Sequence, residues 1–175
     1  KQLSSLDIVT DNASMGKDML STTEDNYNLV SSHLQRIRDL TEQAANGTYG
    51  SASLRAIQAE VKSRLQEITR IAENAEFNGI KLMSAEAVHT GGIDLQVGLD
   101  NTNNSGINLP STMWADSTVD GLFQSNSDFM AIVTKANGDS AISDLNTEEG
   151  YTAVAAAFAG LMKSGDKFII QTDSY

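Results

Sequence analysis

Between residues 6 and 44, apolar side chains recur at alternating steps of three and four: Leu6, Val9, Ala13, Leu20, Tyr27, Val30, Leu34, Ile37 and Ala44, with Gly16, Thr23 and Thr41 in the remaining positions. That spacing puts them on one stripe of a helix lying against other helices over many turns. At roughly 3.6 residues per turn the stripe runs for about eleven turns, against about three for an ordinary globular helix, so it predicts a rod or bundle. The period stops at Asn46-Gly47, where a left-handed cap would end the helix. Ser51 or Ser53 is placed to accept from the free amides of a second helix.

That second helix carries Leu54, Ile57, Val61, Leu65, Ile68, Ile71 and Ala72 on one stripe, with Glu60 and Arg64 four apart on the other side in the favourable order for a surface pair. Two apolar stripes joined by a short connection predict an antiparallel helical hairpin, closing on Phe77-Asn78-Gly79. Beyond it the period changes to two. Ile93, Leu95 and Val97 alternate with Asp94 and Gln96, and Ile107 and Leu109 flank Asn108, with turn-forming residues 100–106 between them. A β-hairpin is expected there. After Phe123 the signals weaken: Thr147 can cap a helix running to Lys163 with Val154, Phe158, Leu161 and Met162 buried and Gly165 past its end, and 167–172 reads as a strand. The expected fold class is therefore α+β, a long antiparallel rod of two main helices followed by a β-hairpin and a small mixed α/β outer region.

Composition narrows the functions. The chain has 175 residues, no cysteine and one proline, so cysteine–zinc sites and thiol nucleophiles are excluded and long helices are permitted. The net charge of -11 is uneven: residues 1–82 hold nine Lys/Arg against eleven Asp/Glu, whereas residues 83–175 hold three against twelve. An acidic second half repels phosphate backbones and anionic lipid, so neither nucleic acid nor membrane is an expected partner. No run approaches the roughly 20 apolar residues of a bilayer span, and the first residues lack the layout of a secretory signal.

Candidate chemistry is sparse. A zinc protease site would need His-Glu-x-x-His, but the histidines are His33 and His89, followed by Leu-Gln and Thr-Gly. The run from Asp100 through Thr102 and Asn104 lacks the glycine at the sixth place and the closing glutamate of a calcium loop, so a turn is the better reading and no metal is expected. Arg36 and Arg38 sit among Asp39, Glu42 and Glu60 without aromatic neighbours, which favours surface pairing over nucleic-acid contact. No serine or carboxylate has a base placed by motif, so neither a catalytic residue nor a cofactor is expected.

Taken in order, Gln35-Arg-Ile-Arg-Asp-Leu40, Gln43-Ala-Ala-Asn-Gly-Thr48, Ile57-Gln-Ala-Glu60, Arg64-Leu-Gln-Glu-Ile68 and Phe77-Asn-Gly-Ile-Lys-Leu82 resemble bacterial flagellin. The segment 92–109 with Leu95-Gln-Val-Gly98, and Val119-Asp-Gly-Leu-Phe123, are similar to the stretches that follow in that family. The resemblance covers residues 1–123 as a rod of the family's D1 type, and leaves 124–175 as a variable outer region. It implies a structural subunit of the flagellar filament, secreted through the flagellum's own channel and polymerised outside the cell. The implied partners are other flagellin subunits, the flagellar export chaperone and the cap.

The resemblance also implies recognition by the vertebrate flagellin-sensing Toll-like receptor through Gln35, Arg36, Asp39, Leu40, Gln43, Glu60 and Arg64, with Arg36 supplying charge-assisted hydrogen bonds, Leu40 an apolar anchor and Glu60 a carboxylate. Assembly is expected along a seam of Leu20, Tyr27, Val30, Leu34 and Ile37, left uncovered by residues 1–175 and completed by other copies or by a tail of the same molecule. Two other readings compete: the hook–filament junction protein of the same superfamily, and an acidic extracellular binding module that would cover its own stripe and carry a concave pocket.

Overall fold

In the computed structural model the first apolar stripe lies along a single 45-residue helix, α1 (Gln2–Asn46), and the second along a 24-residue helix, α2 (Ser51–Asn74). The structure describes the backbone of residues 2–46, 50–87, 93–96, 106–109 and 115–164, and side chains within 14–44, 52–87 and 115–159. α2 folds back along α1. Arg36 meets Glu60, His33 meets Arg64, and Met15 meets Asn78, so the partner's number rises as the α1 number falls. The expected antiparallel rod is present. The Asn46-Gly47 cap lies outside the described residues, and α2 has Gly50 at its N-cap position, so Ser51 and Ser53 fall inside the helix and not at the expected cap.

The buried stripe of α1 is Gly16, Met19, Thr23, Val30, Leu34, Ile37, Leu40, Thr41 and Ala44. It departs from the sequence reading at three places: Met19 is fully buried where Leu20, 37% exposed, was expected, Tyr27 is only half-buried, and Leu40 joins the stripe. The two buried threonines are satisfied within the helix, Thr23 Oγ1 donating to Met19 O at 2.9 Å and Thr41 Oγ1 to Ile37 O at 2.8 Å, which removes the cost of an unpaired hydroxyl.

Past α2, Asn78 and Gly79 both take positive φ (50° and 81°) and join β1 (Glu76–Phe77) to β2 (Ile80–Lys81) in a two-residue hairpin, the geometry that Asn-Gly favours. A single 3-10 turn follows at Ala85–Ala87. The expected second hairpin is β3 (Ile93–Gln96) against β4 (Gly106–Leu109), antiparallel, with Ile93 opposite Leu109 and Leu95 opposite Ile107; β3 lies against α1. Its connecting loop, including the calcium-like stretch, lies outside the described residues.

Two short helices were not foreseen. α3 (Val119–Phe123) is capped by Thr118, whose hydroxyl accepts from Gly121 N, and α4 (Ser127–Ala136) by Asn126, whose side-chain oxygen accepts from Phe129 N. α5 (Glu148–Ser164) was foreseen, and Thr147 caps it, accepting from Gly150 N at 3.0 Å. Val154 and Phe158 are buried as expected, while the side chains of Leu161 and Met162 and the strand at 167–172 fall outside the described residues.

α5 packs against both α1 and α2. This overturns one expectation: the stripe through Val30, Leu34 and Ile37 is closed within the chain, and one continuous apolar core runs from Met19 to Phe158. Phe123, Phe129 and Phe158 form the far end of that core, with ring centroids 5.1 to 6.1 Å apart in tilted and edge-on arrangements.

A polar clamp sets α3 and α5 on α2. Thr69 Oγ1 accepts from Val119 N at 3.1 Å and donates to Asn146 Oδ1, which also accepts from Asp120 N at 2.9 Å. Asn146 Nδ2 donates to Thr118 Oγ1, and Asp120 Oδ1 accepts from Leu145 N at 3.0 Å. Every partner here is satisfied by another, so burying the cluster fixes one arrangement of the three elements.

Candidate functional site

The sequence-selected charged residues converge where α1 and α2 run side by side. Arg36 Nε donates to Glu60 Oε1 at 3.2 Å, and Arg64 Nη2 approaches the same oxygen at 3.5 Å. Arg64 Nη1 stands 3.1 Å from His33 Nδ1, a distance at which the neutral imidazole accepts. One carboxylate therefore joins two guanidinium groups, and one guanidinium bridges to a histidine on the facing helix. All four side chains keep solvent contact, so the face is an array of donors and acceptors open to a partner.

Burial holds the His33 imidazole below its ordinary value, helped by Arg64 and Arg70 and opposed by Glu67. The hydrogen bond from Arg70 holds Glu67 below the usual carboxylate range. Arg70 Nε donates to Glu67 Oε2 at 2.9 Å, so this pair extends the charged face along α2. On the opposite flank of α2, Lys62 and Gln66 bind Glu148 at the start of α5, and burial raises the Tyr151 hydroxyl.

Gln35, Asp39 and Gln43 are exposed on α1, on the same helix as Arg36. Leu40 is not among them. It is 2% exposed and belongs to the core, so it presents no apolar anchor on this surface. Of the seam residues, Val30, Leu34 and Ile37 are buried in the chain, Tyr27 is half-buried and Leu20 is exposed. The Lys62–Glu148 tie and the Thr69 clamp were invisible to sequence reasoning, because each joins residues far apart in the chain.

A polar cleft of about 350 Å³ opens between the end of α2 and the α3 cap, lined by Glu73, Asn74, Lys81, Ser84, Thr118 and Asn146 among others. Its polar groups are largely engaged with each other: Lys81 Nζ donates to Glu73 O at 2.9 Å and pairs with Glu76, and Asn146 is held in the clamp. Among the described residues no group of three or more His, Asp or Glu side chains could hold a metal, and no helix is long and apolar enough to cross a membrane.

The two long helices thus form a rod that carries its ordered charged side chains on an outer helix face. Comparison with known proteins agrees. Residues 1–87 match the bacterial flagellin N-terminal helical region. Flagellin 1 of Proteus mirabilis is 42% identical over 98 residues, covering 56% of this chain and 26% of that protein. The flagellin of Xenorhabdus nematophila is 40% identical over 98 residues, 56% of this chain and 30% of that one. The phase 1 flagellin of Salmonella naestved is 41% identical over 75 residues. Through this region the chain belongs to the bacterial flagellin family, a structural family and not a family of enzymes. The aligned part spans under a third of the length of these relatives.

Proposed function

We propose that the protein carrying this chain is a structural subunit of a bacterial flagellar filament, exported from the cell and working in motility by polymerising through helix faces. The observation that carries this reading is that the family match over residues 1–87 falls on the α1–α2 rod. At about 1.5 Å per residue, 45 residues of α1 give a shaft of roughly 68 Å, long enough for lengthwise contact between neighbouring subunits. With Val30, Leu34 and Ile37 used inside the chain, lateral contacts fall to exposed positions such as Leu20 and Leu29. The division at 123/124 belongs to the same proposal as one of sequence variability alone, supported by a family match confined to residues 1–87; in space, residues up to Phe158 share the core of the rod.

Other subunits are then the principal partner, with the export chaperone and filament cap as transient ones. Recognition by the flagellin-sensing Toll-like receptor would use the exposed Gln35, Arg36, Asp39 and Gln43 with Glu60 and Arg64. Its support is that Arg36, Glu60 and Arg64 already form one array across the two helices. The test is complementation: a flagellin-deficient strain given the complete gene should grow filaments visible by electron microscopy and swim. Bare cells that synthesise and export the protein would overturn the reading. Receptor recognition is tested separately, by signalling from the Arg36→Ala, Glu60→Ala double variant. Undiminished signalling removes it.

A further inference from the structure

Two Asn-Gly pairs lie in described turns, and the fold treats them differently. Asn78-Gly79 is the tip of the β1–β2 hairpin. Both residues are exposed, both have positive φ, and nothing stands within 4 Å of where a Cβ on Gly79 would be. The Asn78 amide donates to Met15 Sδ at 3.3 Å, a weak acceptor, and among the described residues nothing accepts from Gly79 N. Asn137-Gly138 follows α4. There the side-chain amide donates to Ser140 O at 3.0 Å and Glu149 Oε1 at 3.1 Å, and Gly138 N donates to Lys135 O at 3.3 Å.

We propose that Asn78 is a site of spontaneous deamidation and that the fold protects Asn137 from the same reaction. The Gly79 backbone nitrogen, in an exposed residue and without an acceptor among the described residues, loses its proton and attacks Asn78 Cγ. A bond forms between that nitrogen and Cγ, the bond from Cγ to the amide nitrogen breaks, and ammonia leaves carrying the proton. Water then opens the five-membered imide at one of its two carbonyls, leaving aspartate or isoaspartate. The reaction consumes water alone, with no change of oxidation state. At Asn137 the amide must first be freed from two acceptors and the attacking nitrogen from a third, which slows the reaction there.

The product matters to the fold. Isoaspartate routes the main chain through Cβ and adds one atom to a turn that closes with two residues. The pairing of Phe77 with Ile80 and Glu76 with Lys81 then loses its register, and with it the bond from Leu82 N to Ala75 O. This inference stands apart from the filament reading.

The experiment is incubation of the folded protein in mildly alkaline buffer, with peptide mapping for the mass gain of deamidation and enzymatic methylation to detect isoaspartate. Asn78 should convert at least about tenfold faster than Asn137, because releasing hydrogen bonds raises the barrier at the latter. In urea the two rates should converge, since both residues precede glycine. Glu149→Ala, a change at an exposed carboxylate, should speed Asn137 while leaving Asn78 unchanged. Equal rates in the folded protein, a faster Asn137, or no response to Glu149→Ala would each overturn the proposal.

Discussion

Arg36 on α1 and Glu60 on α2 meet at 3.2 Å although 24 residues separate them in the chain. Their side chains remain 43% and 37% exposed, so water screens the pair and its value is set by geometry more than by charge. Glu60→Ala should cost no more than about 1 kcal/mol in urea denaturation. Glu60→Lys should cost more, because it places a third cation between Arg36 and Arg64. A Glu60→Lys variant as stable as Glu60→Ala would show that the array carries no electrostatic coupling.

Met19 and Leu20 separate the two possible phases of the lower stripe. Met19→Ala should lose about 2 to 5 kcal/mol, as buried large-to-small changes do. Leu20→Ala should stay within about 0.5 kcal/mol of the parent, as for a surface position. The reverse order in chemical denaturation would place the wrong residue in the core.

Phe158 holds the end of α5 against Phe123 and Phe129. Phe158→Ala should cost about 3 to 5 kcal/mol, and hydrogen exchange should rise first in α4 and α5 and less in α2. Uniform loss of protection over the whole chain would mean that the aromatic end and the rod do not separate as units.

His33 ties stability to mild acid. Its folded value lies below the ordinary 6.5, so the unfolded chain binds the proton more readily. Stability from this group is complete above about pH 6.5, falls as pH drops from there through the lowered folded value, and levels off beneath it. Glu67 starts to act lower, since its stabilising contribution is lost only as pH falls below the ordinary carboxylate value of 4.5. His33→Gln should flatten the upper step in denaturation midpoints and leave the lower one. A step that persists in the variant assigns it to another group.

The long elements were legible because their patterns repeat. Nine or more turns of three-and-four spacing cannot be mistaken for a strand, and the alternation at Ile93, Leu95, Ile107 and Leu109 cannot be mistaken for a helix. Phase was harder. Met19 and Leu20 are both apolar, a helix stripe is wide enough to admit either, and the choice is made by packing that lies far away in sequence. α3 and α4 are too short to show a period, although Thr118 and Asn126 are cap residues that mark their starts. Asn78-Gly79 is a strong hairpin signal, but the strands it joins are two residues each, too short to show an alternation. At the charged face, spacing pairs Glu60 with Arg64 and the family resemblance adds Arg36, whereas the bond from Arg64 to His33 needs the two helices laid side by side. Leu40 was misplaced because family likeness names a position and says nothing of which way its side chain turns.

That α5 seats on both α1 and α2 has a kinetic corollary. The two long helices are sequence neighbours and can pair early at small loop-closure entropy, whereas the third arrives from beyond two hairpins and two short helices, a slower, nonlocal event. A nascent or unfolded chain therefore passes through an interval in which Val30, Leu34 and Ile37 are only half sheltered. During that interval the groove is open to any other apolar helix that reaches it before α5 does.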